Sequence, residues 1–107
     1  MSLEKVSERQ LRFWFNRLNR LAFGRKLRVD YLEFGHSDDW VAMTNKNLAK
    51  GTFSIRISNR IRFSRSLVIT SLVHEMVHVD DWKLPHGRKF GERIIKAYKK
   101  AKLEQYL

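Results

Sequence analysis

The segment from Ser64 to Asp81 constrains the fold most, because it predicts a helix that is apolar over much of its circumference. Ser64 or Ser66 can cap its start, and Pro85 should end it, since proline cannot continue a helix. The apolar side chains are Leu67, Val68, Leu72, Val73, Met76 and Val77. A helix of this kind is buried in a globular protein. We expect residues 1–107 to form a single domain, because this length is typical of one domain and the sequence contains no linker.

Two amphipathic helices are predicted before and after this segment. The first runs from Ser7 to about Ala22, with Ser7 and Gln10 in the pattern of a capping box and a stop signal at Gly24. Its apolar stripe consists of Leu11, Trp14, Phe15, Leu18, Leu21 and Ala22. The last helix runs from about Gly87 to Gln105 and is basic on its outer face. Its inner stripe consists of Phe90, Ile94, Ala97, Tyr98 and Ala101.

Three short strands are predicted ahead of the apolar helix, at Leu27–Phe34, Trp40–Thr44 and Thr52–Ser58. The last of them alternates apolar and polar residues throughout. In the first strand, Leu27, Val29 and Tyr31 are expected to form the apolar face. Strands that follow one another without intervening helices favour an antiparallel or mixed sheet. The predicted fold class is therefore α+β, with an N-terminal helix, a small three-stranded sheet, a buried helix and a basic C-terminal helix.

The buried helix carries an H-E-x-x-H motif that begins at His74. His74 and His78 are one turn apart, so their rings project from the same face. Two imidazoles at this spacing can bind one Zn²⁺, which lowers the pKa of its bound water toward about 7. Glu75 can take the proton of that water and pass it to a leaving amine. The spacing therefore predicts a zinc site with a catalytic carboxylate.

A catalytic zinc site has three protein ligands, and three residues beyond the motif are candidates for the third. Asp80 lies about 200° around the helix from His78 and points away from the site. Asp81 is sterically possible, but its short side chain would have to share the face that His78 uses. His86 follows the end of the helix, on a segment that can fold back toward it. We therefore favour His86, with Asp81 as the alternative.

Composition and charge limit the cellular compartments and the classes of binding partner that are expected. The chain has no cysteine, which excludes disulfide frameworks, iron–sulfur clusters and cysteine nucleophiles. It shows no signal peptide and no apolar run long enough to span a membrane, so we expect a cytoplasmic, nucleoid or nuclear protein that is not secreted. Its formal net charge of +11 favours DNA, RNA or an acidic surface as a partner. A solvated basic face without a specific partner is the alternative.

The stretch around the motif, HEMVHVDDWKLPHGRKF, resembles the active-site region of the SprT-like metalloprotease family, which includes a protease for DNA–protein crosslinks. The family pattern is H-E-x-x-H followed by H-G-x-x-F, and it falls here on His74, Glu75, His78, His86, Gly87 and Phe90. The similarity extends to RLNRLAFGRKL and TFSIRIS, and spans about Leu11 to Phe90. The metzincin spacing is excluded, because residues 79–85 contain no glycine.

This resemblance implies a zincin-like fold with zinc ligands at His74, His78 and His86 and with Glu75 as general base. It implies a zinc metallopeptidase that cleaves protein substrates on or near DNA. Larger members of the family add a cysteine-rich zinc ribbon, which a chain without cysteine lacks, so we expect the basic surface of this domain to supply any DNA contacts. The candidates for those contacts are Arg56, Arg60, Arg62, Arg65 and the third helix.

Two other functions remain open on the sequence. One is a basic nucleic-acid-binding module whose zinc is structural, with Asp81 as a fourth ligand. The other is a peptidase for one dedicated protein, without DNA binding. We also expect the strand Thr52–Ser58 to be an edge strand that holds an extended substrate. Trp82 either walls the site or covers the core, and His36 is expected to be exposed and not a ligand.

Overall fold

A computed structural model describes residues 4–106 and folds them as an α+β domain, as predicted. Its elements are α1 (Glu8–Ala22), β1 (Val29–Gly35), β2 (Ala42–Asn47), β3 (Thr52–Ser58), α2 (Arg65–Asp80) and α3 (Arg88–Ala101), with short 3₁₀ turns at Asn59–Ile61 and Glu104–Tyr106. No helix in the described part of the chain is long and apolar enough to cross a membrane.

The centre of the domain is α2, which contacts α1, α3, β2 and β3. Six of its apolar side chains have no solvent exposure: Val68, Ile69, Leu72, Val73, Met76 and Val77. Ser64 is the N-cap, and its Oγ accepts a hydrogen bond from the backbone N–H of Leu67 at 3.2 Å. The burial expected from the apolar circumference of this segment is confirmed except at Leu67, which is 50% exposed in the first turn of the helix.

The N-terminal helix begins with the predicted capping box. The Oγ of Ser7 accepts from the backbone N–H of Gln10, and the Gln10 side chain accepts from the backbone N–H of Ser7. Gly24 adopts a φ of +64°, the left-handed conformation that ends helices. One member of the predicted stripe is misplaced, because Leu21 is 38% exposed at the end of the helix.

The sheet is mixed, with strand order β1-β3-β2. β3 pairs in parallel with β1 and antiparallel with β2, so it is the central strand. The expectation that Thr52–Ser58 is an edge strand is therefore wrong. Ile55 and Ile57 of this strand are fully buried, as its central position requires. The edge strand that contacts α2 is β2.

Two strands, β2 and β1, differ from the sequence prediction. β2 begins at Ala42 instead of Trp40, because the Oγ of Ser37 accepts from the backbone N–H groups of Asp39 and Trp40 and holds that segment in a turn.

In β1 the buried residues are Leu32 and Phe34, whereas Tyr31 is 65% exposed. The register against β3 shifts between Val29 and Tyr31, which is the signature of a bulge at Asp30. One extra residue reverses which side chains face the core, and it invalidates the alternation predicted for this strand.

The last helix, α3, buries Phe90, Ala97, Tyr98 and Ala101, as its pattern predicts. Its outer face is basic, with exposed Lys89, Arg93, Lys96, Lys99 and Lys100. The helix ends at Ala101 and not near Gln105, because Lys102 adopts a left-handed φ of +58°.

The turn between α1 and β1 depends on Asn19, and this contact yields a stability prediction. Its side chain donates to the backbone carbonyl of Leu27 at 2.9 Å and accepts from the Leu27 N–H at 3.1 Å. We expect Asn19→Ala to lower the free energy of unfolding by about 1–3 kcal/mol, because both backbone groups lose their partner. Asn16→Ala, an exposed position on the same helix, should change it by less than about 0.5 kcal/mol. Equal effects of the two substitutions in urea denaturation would contradict this assignment.

Candidate metal centre

The structure brings three histidines together at one end of α2. His74 and His78 project from the helix, and His86 reaches them from the segment between α2 and α3. The Nε2 atoms of His74 and His78 are 3.2 Å apart, and those of His78 and His86 are 2.9 Å apart. Three ligand atoms on a tetrahedral zinc ion lie about 3.3 Å from one another, given Zn–N distances near 2.0–2.1 Å. The donor set therefore fits a single metal ion.

The protonation state of the cluster also suits a metal. Burial lowers the pKa of His74 below its ordinary value, and the charges of His78 and His86 lower it further. Burial likewise lowers the pKa of His78, with His86 as the second cause. A neutral ring carries the lone pair that a metal requires, so the lowered pKa values of His74 and His78 favour metal binding. The three convergent nitrogens would repel one another if protonated, whereas one cation satisfies them all.

Phe90, in the first turn of α3, supports the cluster. Its ring centre lies 4.8 Å from that of His74, 4.7 Å from that of His78 and 4.9 Å from that of His86. It is almost completely buried. Gly87, the N-cap of α3, has a φ of +157°, which L-residues rarely adopt. The chain can therefore turn sharply after His86, and this turn places the ring of Phe90 against the three imidazole rings.

Asp80 and Asp81, which follow His78, form ion pairs with basic side chains and do not join the three histidines. Asp80 lies 2.7 Å from the Nζ of Lys26 and 3.6 Å from the guanidinium of Arg93. Asp81 lies 3.4 Å from the same guanidinium. Among the described residues, the potential metal cluster consists of the three histidines alone. A fourth ligand from Asp81, the feature that a structural zinc site would need, is not part of this arrangement.

Glu75 lies beside the three histidines but is not one of the potential metal ligands. It is 6% exposed, and its Oε1 accepts a hydrogen bond from Thr44 Oγ1 at 2.9 Å. Its Oε2 is 3.9 Å from the Nε2 of His74. Burial raises the pKa of Glu75, and the hydrogen bond from Thr44 opposes that rise. One oxygen of the carboxylate therefore faces the sheet, and the other faces the three histidines.

Two cavities flank Glu75 along the edge strand. One, of about 430 Å³, is lined by Met43, Thr44, His78, Trp82, Leu84 and His86, among others. The other, of about 260 Å³, is lined by Val41, Ala42, Thr70, Ser71 and His74 together with Glu75. We call the pair of cavities the β2 cleft. The ring of Trp82 also packs on Phe53 with centroids 5.5 Å apart, so this residue both walls the cleft and covers the core.

The sequence predicted that four residues form one site, and it missed Thr44. The four are His74, Glu75, His78 and His86. Nothing in the local pattern of β2 marks Thr44, because its role depends on which strand lies against α2. His36, the fourth histidine, is exposed as expected, and its nearest acidic group is Asp38 at 3.7 Å.

Three of the four arginines predicted to contact DNA are engaged within the protein. The guanidinium of Arg56 bonds Glu33 at 2.7 Å. Arg60 donates to the carbonyl of Trp40. Arg62 donates to the carbonyl of Val6, and its guanidinium carbon lies 4.2 Å from the ring centre of Phe34. Arg65, at the start of α2, is exposed.

Comparisons of the chain with protein-family models, with curated protein sequences and with solved structures find no match. The features of the molecule that bear on its function are the histidine cluster, Glu75 and the β2 cleft.

The cluster predicts a definite metal stoichiometry. We expect the metal-free protein to take up about one Zn²⁺ per chain. His74→Ala or His78→Ala should abolish tight binding, and His86→Ala should weaken it, because each removes one of three convergent nitrogens. Isothermal titration and metal analysis measure both quantities. His36→Ala is the matched control and should bind as the wild type does. A folded wild-type protein that takes up no zinc would contradict the assignment.

Proposed function

We propose that this protein is a zinc-dependent peptidase with a zincin-like active site of the SprT-like type. The observation that carries the proposal is the buried Glu75 carboxylate, held 3.9 Å from His74 but outside the group of potential ligands. Catalytic zinc sites combine three protein ligands with an open position, whereas structural sites are closed by four. Three histidines with an adjacent carboxylate and an open cleft match the catalytic arrangement.

The roles of the individual residues follow from this geometry. His74, His78 and His86 would hold the ion through their Nε2 atoms. When bound, Zn²⁺ supplies a Lewis acid that makes water acidic near neutral pH. Glu75 accepts the proton of the attacking water at Oε2 and then donates it to the nitrogen of the leaving amine. Its burial raises its pKa, which brings its affinity for a proton closer to that needed at neutral pH.

The β2 cleft provides the place for a polypeptide substrate. β2 is an edge strand, so its outer backbone groups can pair with an extended peptide. This assigns to β2 the substrate-holding role that the sequence suggested for β3. The larger cavity is walled by Met43, Trp82, Leu84 and Pro85, which suit an apolar side chain next to the bond to be cleaved.

Proteins on or near DNA are the substrate class that we propose. The net charge of +11 attracts polyanions, and α3 presents a row of exposed lysines. Lys96 and Lys100 line a cavity of about 420 Å³ in which Lys26 and Arg93 pair with Asp80 and Asp81, so these two lysines are the ones left for phosphate. Because Arg56, Arg60 and Arg62 contact the protein itself, we assign the main phosphate contacts to α3. Such substrates place the enzyme in the cytoplasm, at the nucleoid or in the nucleus.

The two alternatives differ from this proposal in measurable ways. A nucleic-acid-binding module with a structural zinc would have no peptidase activity and no role for Glu75 beyond packing. The pairing of Asp81 with Arg93 weighs against it, because it turns the fourth candidate ligand toward α3. A peptidase for one dedicated protein would cleave its target without binding DNA.

Glu75→Gln separates catalysis from metal binding. The variant keeps the shape of the side chain but cannot accept a proton. We expect zinc content and stability to remain, and cleavage of a denatured protein substrate to fall by a factor on the order of 10²–10⁴. Glu104→Gln, which removes an exposed carboxylate far along the chain, is the control and should keep full activity. Equal activity of Glu75→Gln and wild type would remove Glu75 from the mechanism.

DNA binding should depend steeply on salt and little on sequence, because its source is phosphate contact. Removing two phosphate contacts with Lys96→Gln/Lys100→Gln should weaken binding and lower the slope of log K against log[salt] by about 2. The control Arg28→Gln/Lys50→Gln removes the same charge elsewhere and should have a smaller effect. Fluorescence anisotropy at several salt concentrations measures both. Undetectable binding at low salt would favour the peptidase for a dedicated protein.

A further inference from the structure

The pairing of β2 with β3 and the contact of β2 with α2 together place Thr44 against Glu75. It lies in β2, where its Cα is paired with that of Ile55 in the central strand. Ile55 is fully buried, so the backbone of this part of β2 is anchored to the core. From this strand, Thr44 Oγ1 reaches Glu75 Oε1 on α2 at 2.9 Å. The hydrogen bond therefore joins the sheet to the helix at the candidate catalytic carboxylate.

We propose that Thr44 is a positioning residue for Glu75, an inference that rests on the proposed peptidase function. By donating to Oε1, Thr44 fixes the rotation of the carboxylate so that Oε2 is the oxygen that faces the histidine cluster. Thr44 forms no hydrogen bond with the three histidines, and its hydroxyl acts on the reaction through Glu75.

The physical need for such a partner comes from the flexibility of the glutamate side chain. The last torsion of a glutamate is broad and nearly two-fold, so packing alone does not decide which way the carboxylate turns. A buried carboxylate also requires hydrogen-bond donors. Thr44 supplies one from a rigid strand. A displacement of about 1 Å at a reacting group can cost on the order of 10² in rate.

The same hydrogen bond also selects the oxygen that receives the proton. The Thr44 hydroxyl has one hydrogen, and its contact with Oε1 at 2.9 Å is shorter than its contact with the Glu75 backbone carbonyl at 3.5 Å. Oε1 is engaged by this bond, and Oε2 is the oxygen that lies nearer the histidines, at 3.9 Å from the Nε2 of His74.

A purely structural role for Thr44 predicts a different outcome from a positioning role. A structural hydroxyl would stabilise the fold without affecting turnover once the protein is folded. A positioning hydroxyl acts on turnover, while the affinity for substrate and the binding of zinc stay as they are. The steady-state constants kcat and KM, measured beside zinc content, separate these two roles.

The test uses the zinc-loaded protein and three substitutions, with a fluorogenic peptide or denatured protein as substrate. Thr44→Val is nearly isosteric but cannot donate, and we expect kcat to fall about 10- to 100-fold with KM and zinc content unchanged. Thr44→Ser keeps the hydroxyl and should restore kcat to within about threefold of wild type. Thr52→Val is the matched control, because Thr52 also donates to a carboxylate, that of Asp30, in the same sheet away from the site.

The outcomes are distinct. A normal kcat in Thr44→Val, a loss in Thr44→Ser as large as that in Thr44→Val, or an equal loss in Thr52→Val would overturn the positioning role while the peptidase function stands. If Thr44→Val does not fold, as judged by circular dichroism, Thr44→Ala is compared with Thr44→Ser in its place. A zinc-loaded wild type without activity would overturn the proposed function, and the positioning role with it, before any variant is measured.

Discussion

α2 is buried along most of its length, yet it carries two histidines and a glutamate. Polar groups in such a position cost about 1–3 kcal/mol each when they lack a partner. His74 and His78 lie against each other on this helix, and neighbouring elements supply the other partners. The segment after α2 brings His86 to the other two rings, and β2 brings Thr44 to Glu75. The arrangement of the site is thus a consequence of burying this helix.

The position of His86 depends on packing more than on ion pairs. Arg93, which faces Asp80 and Asp81, is 44% exposed, and exposed ion pairs contribute about 0–1 kcal/mol. The buried Phe90 contacts all three imidazole rings, and truncation of a buried phenylalanine costs about 3–5 kcal/mol. The attachment of α3 to the core through Phe90 is therefore the stronger constraint on the third histidine.

The positive charge of the chain divides into two groups with different physical roles. The arginines near the sheet are engaged within the protein: Arg62 donates to the carbonyl of Val6, and Arg56 pairs with Glu33 on β1. The lysines of α3 lie on the face opposite its buried stripe and are exposed. A charge count alone does not separate these groups, since each lysine and each arginine adds the same single charge to the net charge of +11.

The sequence by itself determined the features whose causes are local. The helical period, the Ser7 and Ser64 caps and the one-turn spacing of His74 and His78 all arise within a few residues, so they could be read directly. The tertiary structure decided the rest. The central place of β3 depends on pairing between distant segments, and the bulge at Asp30 reversed the buried face of β1. Thr44 became the partner of Glu75 only because strand pairing set β2 against α2, a contact between residues 31 positions apart that no local pattern encodes.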